Sequence, residues 1–266
     1  MIVLGLDTAT AASAVALALP DGRTLERRDD PQAGAHPGHA TRLLDMAHEV
    51  LAQAGVGWRA LDRIAVGVGP GTFTGLRVGI ATARGLARSL DVALVGVSSL
   101  QALAAGALAP PAGVATGRAE RDTRALGREA ADVDAVLAII DARRGEVFVA
   151  AYERGGAGLA PRELLGPQAL ALERLGDVLE SSRSAGRTQA SWLALGDGAV
   201  RYRAEVERTG IPSPPPDSPL HRVSAAAICL LALEATSPAG GTLLPDYRRR
   251  PDAELALEGA AAGAQP

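Results

Sequence analysis

The segment Gly69-Pro70-Gly71-Thr72-Phe73-Thr74-Gly75 constrains this chain more than any other. It follows an apolar run, Ile64–Val68, and precedes a stretch in which apolar residues recur every three or four positions as far as Leu90. An apolar strand, a glycine-rich turn and an amphipathic helix need a sheet to sit in, which places the chain among α/β folds. Backbone N–H groups at such a turn can hold a phosphate. This turn is not a P-loop, because Leu76-Arg77 stands where the lysine would be required. The competing account is a tight turn whose glycines let strand and helix approach closely. We favour that structural account.

The flanking sequence extends the pattern. Ile2–Leu6, Ser13–Leu19 and Thr24–Arg28 read as three strands joined by tight turns, and His39–Ala54 as a helix stopped by Gly55. After the glycine turn and its helix come a strand at Ala93–Val97 and a helix from Ser98. Three antiparallel strands, helix, strand, helix, strand, helix is the ribonuclease-H-like order, with a mixed sheet. A weaker second copy follows: strand Ala135–Ile140 ending in Asp141, return strand Glu146–Tyr152, helix Pro167–Glu180, strand Trp192–Leu195, and helices at Ala199–Arg208 and Ser224–Ala235. Two such halves facing each other make the actin-like (ASKHA) architecture of mixed sheets flanked by helices. The expected division is a first half at 1–108, a second, degenerate half at 109–252, and a disordered Ala/Gly-rich tail at 253–266. Pro110–Asp134, Ser181–Ala190 and Pro212–Pro219 read as surface loops.

Composition removes several kinds of chemistry. All 27 basic residues are arginine, so Schiff-base and P-loop lysines are excluded. A net charge of −3 and a pI near 5.9 argue against a general nucleic-acid-binding surface. The lone Cys229, in an apolar helical run, reads as a buried small hydrophobe and fits a reducing compartment. No targeting segment and no long apolar stretch is visible, so the expected location is cytoplasmic, with no membrane association.

Residue constellations for catalysis are thin. Among His36, His39, His48 and His221 there is no pair one helical turn apart, and there is no cysteine cluster, so no metal site is expected. No Gly-x-Ser-x-Gly elbow is present, and Ser98 or Ser99 reads as a helix N-cap. Asp7 ends the first strand, where it can serve either a metal–nucleotide or a local Asx turn. Asp141 is its counterpart in the second half, crowded by Arg143 and Arg144, whose bulk makes the cleft read as degenerate. If nucleotide is held, Asp7, Thr8, Gly69, Gly71 and Thr72 are the candidate contacts. Arg248–Arg250 reads either as a solvated run or as a phosphate contact.

The two helices of the first half carry a further signal. Gly75, Gly79, Ala83 and Ala87 recur every four positions, while Arg77, Arg84 and Arg88 lie opposite. The apolar arc spans roughly 200°, about twice what packing on one sheet requires. Glycine inside a helix costs about 1 kcal/mol against alanine, so close approach of another helix is an expected compensation. With Leu43, Met46 and Val50 on the His39–Ala54 helix, this ridge is the expected interface with a second chain. Packing against the second half is the alternative.

The run Ile64–Ile80, continued by Ala81–Leu86 and Val95–Leu100, closely resembles the signature of the TsaB (YeaZ) family within the Gcp-like group. Leu4-Gly-Leu-Asp-Thr8, Ile140–Val147, Leu195-Gly-Asp-Gly198 and Pro245-Asp-Tyr-Arg-Arg-Arg250 support it. The match is dense over residues 1–105 and patchy beyond. His39-Ala40-Thr41 departs from the family's His-Ser-Glu, leaving only the histidine. The resemblance implies a non-catalytic subunit that dimerises with TsaD, which transfers threonylcarbamoyl to the adenosine beside the anticodon of tRNA. TsaE, an ATPase, would join that pair, tRNA would be met mainly through the complex, and the chain alone would form a homodimer. No cofactor of its own is implied, with room for ATP or ADP at the subunit interface. The rival within the same fold is an ATP-using kinase or transferase.

Overall fold

The computed structural model describes residues 1–32, 37–108, 133–155, 160–185, 190–235 and 243–248. His36, most of the 110–134 loop, Arg249 and Arg250, and the tail at 253–266 lie outside the described residues. The first half contains β1 (Val3–Asp7), β2 (Ser13–Ala18), β3 (Thr24–Asp29), α1 (His39–Ala54), β4 (Arg63–Gly69), α2 (Phe73–Leu90), β5 (Ala93–Ser98) and α3 (Ser99–Leu108). Its five strands form one sheet in the order β3-β2-β1-β4-β5. β1 pairs antiparallel with β2 and parallel with β4, and β4 pairs parallel with β5, so the sheet is mixed.

The second half holds β6 (Ala135–Arg143), β7 (Glu146–Glu153), β8 (Arg162–Ala171), α4 (Leu175–Ala185), β9 (Trp192–Leu195), α5 (Asp197–Arg201), α6 (Arg203–Arg208) and α7 (Ala225–Glu234). Its sheet runs β8-β7-β6-β9, again antiparallel on one side of the first strand and parallel on the other. Three elements differ from expectation: Ala199–Arg208 is two helices, α5 and α6, divided at Tyr202; Ser181–Ala185 belongs to α4 rather than to a loop; and the third lies before α4. The helix expected from Pro167 begins only at Leu175, and Arg162–Ala171 is instead the edge strand β8. Gly166-Pro167 resembles a helix start in sequence but lies within the strand. Proline is tolerated here because the register between β7 and β8 slips beside it, leaving no ladder bond for it to make.

The layers follow from which faces are apolar. α1 and α2 cover one face of the first sheet, packing Leu43, Met46, Val50, Ile80 and Ala83 on Leu4, Leu6, Ile64 and Val66. α4, α5 and α6 cover the outer face of the second sheet in the same way. Between the sheets lie α3 and α7, both buried almost all round. These two helices are exchanged: α3 closes the first half in sequence yet packs on β6 and β7, whereas α7 closes the second half and packs on β1 and β2. The close seat of α7 requires Gly5, where a Cβ would overlap the Cys229 sulfur and the Ala225 carbonyl. Glu26 on β3 clasps the start of α7, accepting from Ala225 N at 2.8 Å and from the Ser224 hydroxyl at 3.1 Å. No helix among the described residues is long and apolar enough to cross a membrane.

Candidate functional site

The glycine turn lies directly on the turn that follows β1. Asp7 Oδ1 accepts from Ala9 N at 3.0 Å, an Asx turn, and its other oxygen accepts from the Ser99 hydroxyl at 3.2 Å. The Thr8 hydroxyl donates to the Gly75 carbonyl at 2.7 Å, and Thr72 N donates to the Ala9 carbonyl at 2.7 Å. A Cβ at Gly71 would overlap Ala9, and one at Gly75 would overlap the Thr8 carbonyl. Gly69, at φ +108°, holds a conformation that favours glycine. Asp7 and Thr8 are 2% and 0% exposed. Of the five candidate nucleotide contacts, Asp7 and Thr8 are thus buried, Gly71 and Thr72 pack on Ala9, and Gly69 lies against Leu76 and the Asp246 carbonyl. The chain's own atoms occupy the polar groups of Asp7 and Thr8. Burial outweighs these hydrogen bonds and raises the Asp7 carboxyl to about 6.

The small-residue ridge also packs within the chain. Gly75, Gly79, Ala83 and Ala87 face inward, as do Leu43, Met46 and Val50 on α1. A Cβ at Gly79 would overlap the Thr8 hydroxyl. The helix that approaches closely thus meets β1 and its turn rather than a second chain. The face of α2 left exposed or half-buried carries Thr74, Val78, Ala81 and Gly85, and on α1 Leu44 is 51% exposed. Nothing lies within contact distance of a Cβ placed at Gly85.

The second half repeats the Asx turn. Asp141 Oδ1 accepts from Arg143 N at 2.9 Å, and it also accepts from the Tyr202 hydroxyl at 3.2 Å. Its second oxygen is 3.6 Å from both Arg143 and Arg201. Arg143 and Arg144 are both left-handed, at φ 69° and 55°, in the turn to β7. Asp197 accepts from Asp141 N at 3.0 Å; burial, together with the nearby charge of Asp141, raises its carboxyl to about 6. Of the two arginines expected to crowd this turn, Arg143 faces its acid, together with Arg201 from α5. No group of three or more histidines, cysteines or carboxylates among the described residues is placed to hold a metal.

A segment from the far end of the chain, Leu243–Arg248, straps the outer flank of α2. The Leu243 side chain sits over Gly96, Arg84 donates to the Leu243 carbonyl, and Asp246 N donates to the Val68 carbonyl at 2.7 Å. Tyr247 then reaches α2, where its hydroxyl accepts from Arg77 Nε at 3.0 Å. The arginine side of α2, opposite the buried ridge, is thus the seat of this strap.

Three comparisons with known proteins follow from this geometry. The model of the TsaD family, described as tRNA N6-adenosine threonylcarbamoyltransferase, matches residues 31–119. The tRNA threonylcarbamoyladenosine biosynthesis protein TsaB of Escherichia coli K12 is 35% identical over 164 residues, 60% of this chain and 58% of that protein. The Haemophilus influenzae protein of the same name is 31% identical over 200 residues, covering 73% of this chain and 74% of that one. Among solved structures, YeaZ from Pseudomonas aeruginosa matches with a TM-score of 0.65 at 31% identity, over 92% of this chain and 99% of that one. The chain belongs to the TsaB (YeaZ) family.

The TsaB-family fold is thus the actin-like pairing of two mixed sheets expected from the strand order. The structure also brings together a pair with no local signal in the sequence. Ser13 Oγ lies 2.8 Å from His39 Nδ1, both buried, across a separation of 26 residues. Ser13 is 0% exposed, so the pair anchors the first turn of α1 to β2 and has no access to a substrate. Ser98 accepts from Gln101 N at 3.4 Å, the N-cap contact expected of one serine of the Ser98–Ser99 pair, while Ser99 serves Asp7.

Proposed function

We propose that this chain supports the formation of threonylcarbamoyladenosine in tRNA as a subunit without catalytic chemistry of its own. Its partner in this reading is a TsaD-type threonylcarbamoyltransferase, with a TsaE-type ATPase recruited by the pair, in the cytoplasm. The observation that supports the reading is the closure of the glycine turn onto Asp7, Thr8 and Ala9. In a TsaB-family chain this turn uses its backbone groups within the chain, at the position where a phosphoryl-transfer enzyme would hold its nucleotide. Any ATP or ADP would then sit at the junction with the partner.

The docking face of this reading is the outward side of α2 and α1: Thr74, Val78, Ala81, Gly85 and Leu44. Its small side chains allow a partner helix to approach, and Gly85 is left open to do so. The same face would serve the homodimer when the chain is alone, so the two assemblies compete. The test is reconstitution of the modification with the transferase and ATPase of the same genome. Omitting this chain should remove most of the product, and Ala81→Arg should do likewise while leaving the melting temperature unchanged. Steady ATP turnover by the isolated chain, lost in Asp7→Ala, would instead favour a kinase or transferase.

A further inference from the structure

The chain contains only two phenylalanines and three tyrosines, and its core is built from alanine, valine and leucine. One of each aromatic stands at the surface beside the N-terminal turn of α2. The ring centroids of Phe73 and Tyr247 are 5.0 Å apart, tilted by 32°. The Arg77 guanidinium lies 3.7 Å from the Phe73 centroid and holds the Tyr247 hydroxyl. Tyr247 is 42% exposed. Residues from opposite ends of the sequence thus build a stack of two rings and one planar cation that contributes little to the core.

The surroundings of the stack are cationic. Arg77, Arg84 and Arg88 follow one side of α2 over about 16 Å of helix. None of the three forms an ion pair among the described residues, whereas Arg28, Arg162 and Arg203 each face a carboxylate. Arg84 is held by the Leu243 carbonyl, which fixes its position without neutralising it. Arg248, the residue after Tyr247, pairs with Asp246 at 2.6 Å. On a chain of net charge −3, this is a local reversal of sign.

We propose that this flank of α2, with Tyr247 and Arg77 at its head, is a docking surface for single-stranded RNA. A splayed base would stack on the Tyr247–Arg77 platform, and the adjoining phosphates would lie along the row from Arg77 through Arg84 to Arg88. The exposed small residues proposed to receive the protein partner adjoin this row on the same helix. An acidic protein would match the charge but gives no role to a flat aromatic–guanidinium platform. The inference rests on the RNA-directed reading above and names the surface that meets the RNA.

The test is the fluorescence anisotropy of a labelled single-stranded RNA oligonucleotide titrated with the full chain at low salt. Tyr247→Ala should weaken binding about fivefold or more, and Tyr247→Phe, which keeps the ring, should bind nearly as the parent does. Arg77→Gln should weaken binding and flatten the salt dependence by about one unit of slope. Arg77→Lys should preserve the slope yet still bind more weakly, since an ammonium does not stack as a guanidinium does. Arg59→Gln, at an exposed arginine elsewhere, should change nothing; a thermal melt of each variant confirms that the fold is retained. Absence of RNA binding by the parent, or equal binding by Tyr247→Ala and Arg77→Gln, overturns the proposal. Unchanged RNA binding with lost capture of the transferase would assign the flank to the protein partner and also overturns it. Failure of Ala81→Arg to disturb the transferase bears on the functional reading alone.

Discussion

The Thr8 hydroxyl occupies the space where Gly79 would carry a Cβ, and it donates to the Gly75 carbonyl at 2.7 Å. This contact fixes how closely α2 lies on β1. Gly75→Ala should therefore destabilise the fold by about 1–3 kcal/mol, since the neighbour it would overlap is backbone. Gly85→Ala, one face away and open, should stabilise by up to about 1 kcal/mol. Thermal melts of the two variants check both signs. A Gly75→Ala protein with unchanged melting would show that the turn is looser than its packing indicates.

Asp7 gives a pH dependence of definite sign. Burial raises its carboxyl from 3.8 to about 6, so the native state takes up the proton more readily than the unfolded chain. The stabilisation from this group is complete below 3.8 and is lost as pH rises through about 6. Asp7→Asn fixes the uncharged form, and its amide can still accept from Ala9 N and donate to Ser99. Above pH 7 the variant should be more stable than the parent by up to about 3 kcal/mol, a difference that closes toward pH 4. Denaturant titrations across that range decide it; a gap independent of pH would rule it out.

Glu26 should prove structural. It caps α7 through Ala225 N and Ser224, and Arg28 beside it donates to the Val223 carbonyl at 2.6 Å. Glu26→Ala leaves a buried N–H without its acceptor and should lower stability by about 1–3 kcal/mol. Hydrogen exchange should show the loss of protection concentrated in Ala225–Ile228.

Cys229 should resist thiol reagents in the native protein. It is fully buried, with its sulfur 3.5 Å from the Val3 and Ala16 carbonyls, and burial pushes the thiol up to about 12. Its labelling rate should therefore track unfolding under denaturant. Rapid labelling without denaturant would mean that α7 lifts from the sheet.

The sequence marks the first half well because each element there carries its own punctuation. Gly55 stops α1, and the glycine turn separates β4 from α2. Periodicity reveals that α2 has a small-residue stripe but not what the stripe meets. The partner, Thr8, lies 67 residues away from Gly75, and no local pattern links them. Ser13–His39 and Phe73–Tyr247 are hidden for the same reason. β8 is lost to Gly166-Pro167, which reads as a boundary until the slip in register against β7 explains it.

The exchange of α3 and α7 has a consequence for the order in which the chain can be built. As synthesis proceeds, the first sheet is complete once β5 has emerged, yet the face that α7 covers has nothing to lie against until residue 234. Native burial of Gly5 and Ala16 must wait for the far end of the chain, so the first half remains open throughout synthesis of the second. A fragment ending at residue 108 should accordingly expose an apolar surface and need a chaperone or the missing helix supplied in trans. The protein commits to its fold only when α7 arrives.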